Sequence, residues 1–137
     1  MTSGYRTIHS GGQYNKYFKT PEHDDRIVIQ DGNVNDTVEL MKKVVWKYLS
    51  DTKKIAQKLK DSSLQRTYEN IWNFLYHNIQ YKLDQEGLEQ LRRPARSWAD
   101  RKSGIDCDCF AIFTSSILTN LEIPHYCRIT KYDGSDH

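Results

Sequence analysis

The residues best equipped for chemistry lie together in Gly104-Ile-Asp-Cys-Asp-Cys109. An apolar pattern follows them. Phe110, Ala111, Phe113, Thr114, Ile117, Leu118 and Leu121 recur at spacings of three and four, which predicts a mostly buried helix. Asp106 suits its N-cap, so Cys107 falls in the first turn. Backbone N–H groups at a helix start have no partner inside the helix and carry partial positive charge. They favour a thiolate over a thiol and can face a developing oxyanion. Cys107 is therefore a candidate nucleophile. The plainer alternative is a small side chain that is only packed.

The neighbouring charges pull in two directions. Arg92, Arg93, Arg96, Arg101 and Lys102 precede the cysteine and favour a thiolate. Asp100, Asp106 and Asp108 oppose them, and the sequence gives no sign for the balance. A metal reading draws on Cys107, Cys109, His125 and Cys127. Structural zinc sites usually use wider spacings. Side chains two apart on a helix diverge by about 200°, which suits one tetrahedral ion poorly. No metal and no other cofactor is expected.

Several short runs carry a resemblance. These are Tyr81-Lys-Leu-Asp84, Arg93-Pro94, Gly104-Ile-Asp-Cys107-Asp-Cys-Phe-Ala111, Leu121-Glu-Ile-Pro124 and a strand-like Tyr126 to Tyr132. Over residues 64–137 the chain resembles the transglutaminase-like (papain-like thiol) superfamily domain. The resemblance implies an α+β fold. In it an N-terminal helical hairpin and a cysteine-bearing helix pack on a small antiparallel sheet, left incomplete where the sequence stops. It implies a Cys-His-Asp triad with Cys107 as nucleophile, flanked by Asp106 and Asp108. Trp98 either lines the acyl site, as aromatic residues do in relatives, or belongs to the core. The family's histidine follows the turn after the strand, and His137 stands near that place. His125 is the rival base and ranks below it. No Asp or Asn follows His137 to complete the triad.

The activity implied is acyl transfer on amides through a thioester, to water as in a protease or amidase, or to an amine as in a transglutaminase. Its partner is a protein or peptide substrate. The alternative is a non-catalytic scaffold or assembly protein. Short transglutaminase-like proteins resemble components found in bacterial and phage genomes, so a structural role in a particle belongs to that alternative.

The elements that must position Cys107 can be read upstream. Residues 36–60 form one long helix, with a capping-box start at Asp36 and Glu39 and a possible break at Asp51. Its apolar stripe is Val38, Met41, Val45, Tyr48, Thr52, Ile55 and Leu59. Its other face carries six lysines from Lys42 to Lys58, read as a solvated face. Residues 62–79 form a second helix, capped by Ser62 with Gln65 and apolar along Leu64, Tyr68, Ile71, Trp72, Leu75, Tyr76 and Ile79. A short link makes the two a helical hairpin. His77 reads as a surface or packing residue. Tyr81–Leu83 is a short strand, Leu88–Leu91 a helical turn, and His125–Tyr132 a strand ending at an Asp133-Gly134 turn. Glu122 stands where the family carries glycine, so a left-handed helix end is disfavoured there.

Residues 1–35 contain Gly4, Gly11, Gly12 and Gly32, are polar and lack periodicity, apart from a strand-like Arg26–Gln30. They read as an extended or disordered arm ahead of a domain at 36–137. Tyr5, Tyr14, Tyr17 and Phe18 suit a protein interface. Net charge is +2 from 20 basic and 18 acidic residues, too balanced for a nucleic-acid partner. No apolar run approaches a membrane span, and no leader is visible. Three cysteines give no disulfide framework, so an unexported, reducing, cytoplasmic setting is the reading, with particle association in the scaffold alternative.

Overall fold

The computed structural model describes residues 6–30, 34–84 and 88–125. The expected strand beyond His125, the turn at Asp133-Gly134, Cys127 and His137 lie outside the described residues. The chain runs through a 3-10 turn at Gly12–Tyr17, then β1 (Ile27–Gln30) and α1 (Val34–Lys47). A second 3-10 turn, Leu49–Thr52, leads into α2 (Lys53–Leu59) and α3 (Leu64–Asn78). After these come β2 (Leu88–Leu91), α4 (Pro94–Ala99) and α5 (Cys107–Asn120). The architecture is α+β: helix-rich, with one small antiparallel sheet among the described residues.

The sheet corrects one expectation. Leu88–Leu91 is a strand, not a helical turn, because Ile27–Gln30 pairs with it from Ile27↔Leu91 to Gln30↔Leu88. Arg26, just before β1, gives its guanidinium to both oxygens of Asp100, each at 2.9 Å. Further upstream, Tyr14, Tyr17 and Phe18 pack against the main core.

Residues 36–60 are not one helix. The helix starts before the expected box, so Asp36 lies in the first turn of α1 rather than at its cap. It then breaks at Leu49–Thr52, and Asp51 supplies the reason. Its buried carboxylate takes both nitrogens of an Arg93 fork at 2.8 and 2.7 Å, and also the N–H of Ala95 at 2.9 Å. Arg93, the N-cap of α4, gives that helix no side-chain cap, so Asp51 caps it from across the fold. The lysine face is exposed. In α3 the cap is Ser63, one residue later than expected, with its Oγ accepting from Arg66 N at 3.3 Å.

α5 is the centre of the packing. On one side Ile55, Phe74, Ile79, Trp98 and Ile105 enclose Phe113 and Ile117. On the other, Met41, Val44, Val45 and Leu91 enclose Ile112. Fully burying each such side chain contributes about 1.5–3 kcal/mol, so the helix is held in place along its length. Its C-terminus also departs from expectation. Glu122 adopts φ 58° although it is not glycine. The Ile123 N–H donates to Leu118 O at 2.9 Å and closes the helix as a glycine would.

Candidate functional site

The start of α5 is fixed by the residues before it. Ile105 is fully buried and bridges Tyr81 in parallel: Ile105 N donates to Gln80 O at 2.9 Å, and Lys82 N to Ile105 O at 2.9 Å. Gly104 makes the approach possible. Its φ is 110°, and a Cβ there would lie 2.6 Å from Lys82 Cβ. The next turn begins at Asp106, whose carboxylate accepts from Cys109 N at 3.4 Å as the N-cap. Cys107 is therefore the first residue of the helix, and it is exposed.

The backbone N–H groups of Cys107 and Asp108 face the sulfur and lower its pKa. They are outweighed. Burial of the sulfur, then the carboxylates of Asp108 and Asp106, hold the thiol above its ordinary value. The balance that the sequence leaves open thus falls on the side of the thiol. Among the described residues, the side chain hydrogen-bonded to it is Asp108, with Oδ1 4.0 Å from Sγ. Among the described residues, no imidazole stands within hydrogen-bonding reach of this sulfur.

The carboxyls form a group of their own. Asp106 is pushed up to about 8 by burial, and then by a hydrogen bond and charge from Asp84. Asp108 is raised to about 6 by burial and then by Glu89 and Asp84. Asp84 and Glu89 are the site residues that the sequence did not disclose. Asp84 is brought in by the Tyr81–Ile105 bridge and further held by Gln90 N at 2.8 Å. Its place at the end of Tyr81-Lys-Leu-Asp84 was the only signal.

The other predicted residues are placed elsewhere. Trp98 is buried, stacked on Phe18 at 4.8 Å and Phe74 at 5.4 Å, with Nε1 donating to Asn15 Oδ1 at 2.8 Å. Its indole belongs to the core. Cys109 is fully buried and turned away from Cys107; Arg92 donates to its Sγ at 3.4 Å, and the thiol faces Gln90 O at 3.2 Å. Burial foremost pushes it up to about 12. His125 is not brought to Cys107. Its Nε2 lies 2.7 Å from Ser115 Oγ and its Nδ1 2.8 Å from Ile123 O. Ser115 is eight positions along α5 from Cys107, about 12 Å along the helix axis. His77 stacks on His9 at 5.4 Å, on α3.

A solvent-facing cysteine opening a buried helix, in an α+β frame, is the arrangement of the papain-like thiol superfamily. Residues 50–137 match a family model described as Transglutaminase-like domain, and the chain belongs to that family. No curated protein and no solved structure matches it. No helix among the described residues is long and apolar enough to cross a membrane.

Proposed function

We propose that the protein transfers acyl groups from amides through a thioester on Cys107, with His137 as the base. The observation that carries this reading is the exposure of Cys107 at the first position of a helix otherwise buried in the core. In the reaction the imidazole takes the Sγ proton, and sulfur attacks the amide carbonyl. The oxyanion forms against the N–H groups of the helix mouth. Collapse expels the amine, which takes the proton from the imidazolium, and leaves a thioester. Water or a primary amine then attacks that carbonyl and releases the thiol.

The carboxylates around Sγ make a base necessary, since they disfavour a thiolate without a cation beside it. Glu122 turns the backbone, and His125 returns beside Ser115, partway back along α5 toward Cys107. His137 is the histidine that follows it in sequence.

A second reading is a scaffold that keeps the fold without the reaction. The raised thiol pKa favours it. Iodoacetamide labelling of Cys107 against pH separates the two. The acyl-transfer reading expects a labelling plateau that begins near the imidazole range, about pH 6.5, and is lost in His137→Ala. It also expects a thioester mass on Cys107 with a glutamine peptide. A single alkaline rise, the same in both proteins, would leave the scaffold.

A further inference from the structure

α5 carries more than the thiol on its exposed side. Phe110, Thr114 and Leu118 follow Cys107 by three, seven and eleven positions, so all four lie within about 80° on one helical face. Phe110, Thr114 and Leu118, beyond Cys107 on that face, line a groove of about 420 Å³, within the range of sites that hold small ligands or peptide side chains. The opposite wall is α3, through Tyr68, Trp72 and Tyr76. Trp72 stacks on Tyr76 at 4.6 Å and is still 60% exposed; Tyr68 is 44% exposed. Phe110, the groove residue nearest the thiol in sequence, stands one turn from Cys107, and the Tyr81 ring stacks on it at 6.2 Å. Arg6 also lines the groove, but its charge is engaged. The guanidinium lies 4.4 Å from the Tyr76 ring centroid and donates to Tyr76 O at 3.1 Å and Ile79 O at 2.7 Å.

We infer that this groove is the substrate-recognition site, and that its occupant is a polypeptide with large apolar side chains on one side of the reacting amide and a basic residue on the other. Apolar walls and exposed aromatic rings select the first feature, since aromatic anchors dominate recognition of peptide segments. Charge complementarity selects the second. Asp108 stands at the thiol end, its Oδ1 4.0 Å from the Cys107 sulfur, where an acidic residue would meet like charge and a lysine would not. This inference rests on the acyl-transfer reading for the reacting amide, but the groove itself is tested without chemistry.

The test uses the full chain with Cys107→Ala and two fluorescein-labelled hexapeptides. One has leucine and phenylalanine before a glutamine and lysine after it; the other has serines in place of the two apolar residues. Fluorescence anisotropy should show the apolar peptide bound about tenfold more tightly. Thr114→Trp, which fills the groove, and Trp72→Ser, which strips its wall, should each abolish the difference while circular dichroism shows an unchanged fold. Replacing the lysine by glutamate should weaken binding severalfold. Equal affinity for the two peptides overturns the inference, as does a difference that survives both groove variants. So does a dimer that Trp72→Ser dissociates, or binding that appears only when residues 126–137 are removed; in those cases a second copy or the chain's own end is the occupant. Labelling of Cys107 reports separately on the acyl-transfer reading, so a reactive thiol with an indifferent groove, and an inert thiol beside a selective groove, are different results.

Discussion

Arg92 donates a hydrogen bond to the sulfur of Cys109 at 3.4 Å, while Cys107, two residues earlier, faces solvent. One turn of helix thus carries two thiols in opposite environments. Reactivity follows thiolate fraction and access, and Cys109 has neither. Alkylation of the folded protein at neutral pH, mapped by peptide mass spectrometry, should modify Cys107 and spare Cys109 until denaturant is added. Modification of Cys109 in the native protein would contradict the packing described.

Asp108 is a carboxylate beside the Cys107 sulfur and a leading cause, after burial, of its raised pKa. Removing that charge should favour the thiolate. Asp108→Asn is expected to speed iodoacetamide labelling at pH 7 about three- to tenfold. A slower rate would mean that Asp108 assists the thiol instead of holding it protonated.

Asp106 ionises near 8 in the folded protein against an ordinary 3.8. The folded state therefore binds more protons than the unfolded state between those values, and stability falls as pH rises through them. Asp106→Asn keeps an N-capping side chain and removes this titration. Thermal melts should show the variant gaining on the parent protein from pH 4 to pH 8, by at least about 1 kcal/mol. Parallel pH profiles would show that the Asp106 carboxyl is not held protonated in the folded protein.

Asp51 joins the break after α1 to the start of α4 by three hydrogen bonds. Asp51→Ala leaves the part-buried Arg93 without that partner and Ala95 N–H without its cap. Chemical denaturation should register a loss of about 3–5 kcal/mol. A loss under 1 kcal/mol would make the pair a surface ornament in energetic terms.

The site was legible where local chemistry decides. Asp106 as N-cap, Cys107 in the first turn and the apolar helix behind them follow from residue spacing alone. The sign of the field at Cys107 did not. The arginines before it point away: Arg92 to Asp100, Arg93 to Asp51, Arg96 to Asp25, and Arg101 to the carbonyls of Ser10 and Trp98. The charges that act on the thiol are the flanking Asp108 and Asp106. Asp84 and Glu89 act on those two carboxyls, and nothing in their own neighbourhood assigns them to this site. Leu88–Leu91 misled for a related reason. Leu-Glu-Gln-Leu has leucines three apart and no β-branched residue, so it suits a helical turn. Its strand form is imposed by a partner that is distant in sequence. At Glu122 local hydrogen bonds prevail over residue preference: Glu122 N–H to Thr119 O and Ile123 N–H to Leu118 O close the helix on a left-handed backbone that costs about 1–2 kcal/mol.

The pairing of Ile27–Gln30 with Leu88–Leu91 sets a limit on trimming this protein. The family match begins at residue 50, yet the strand that covers β2 and the helix that covers Leu91 both come earlier. A fragment cut to the matched region would bare an unprotected sheet edge and a patch of aliphatic core. Such surfaces recruit one another, and the fragment would be expected to precipitate rather than stay dispersed.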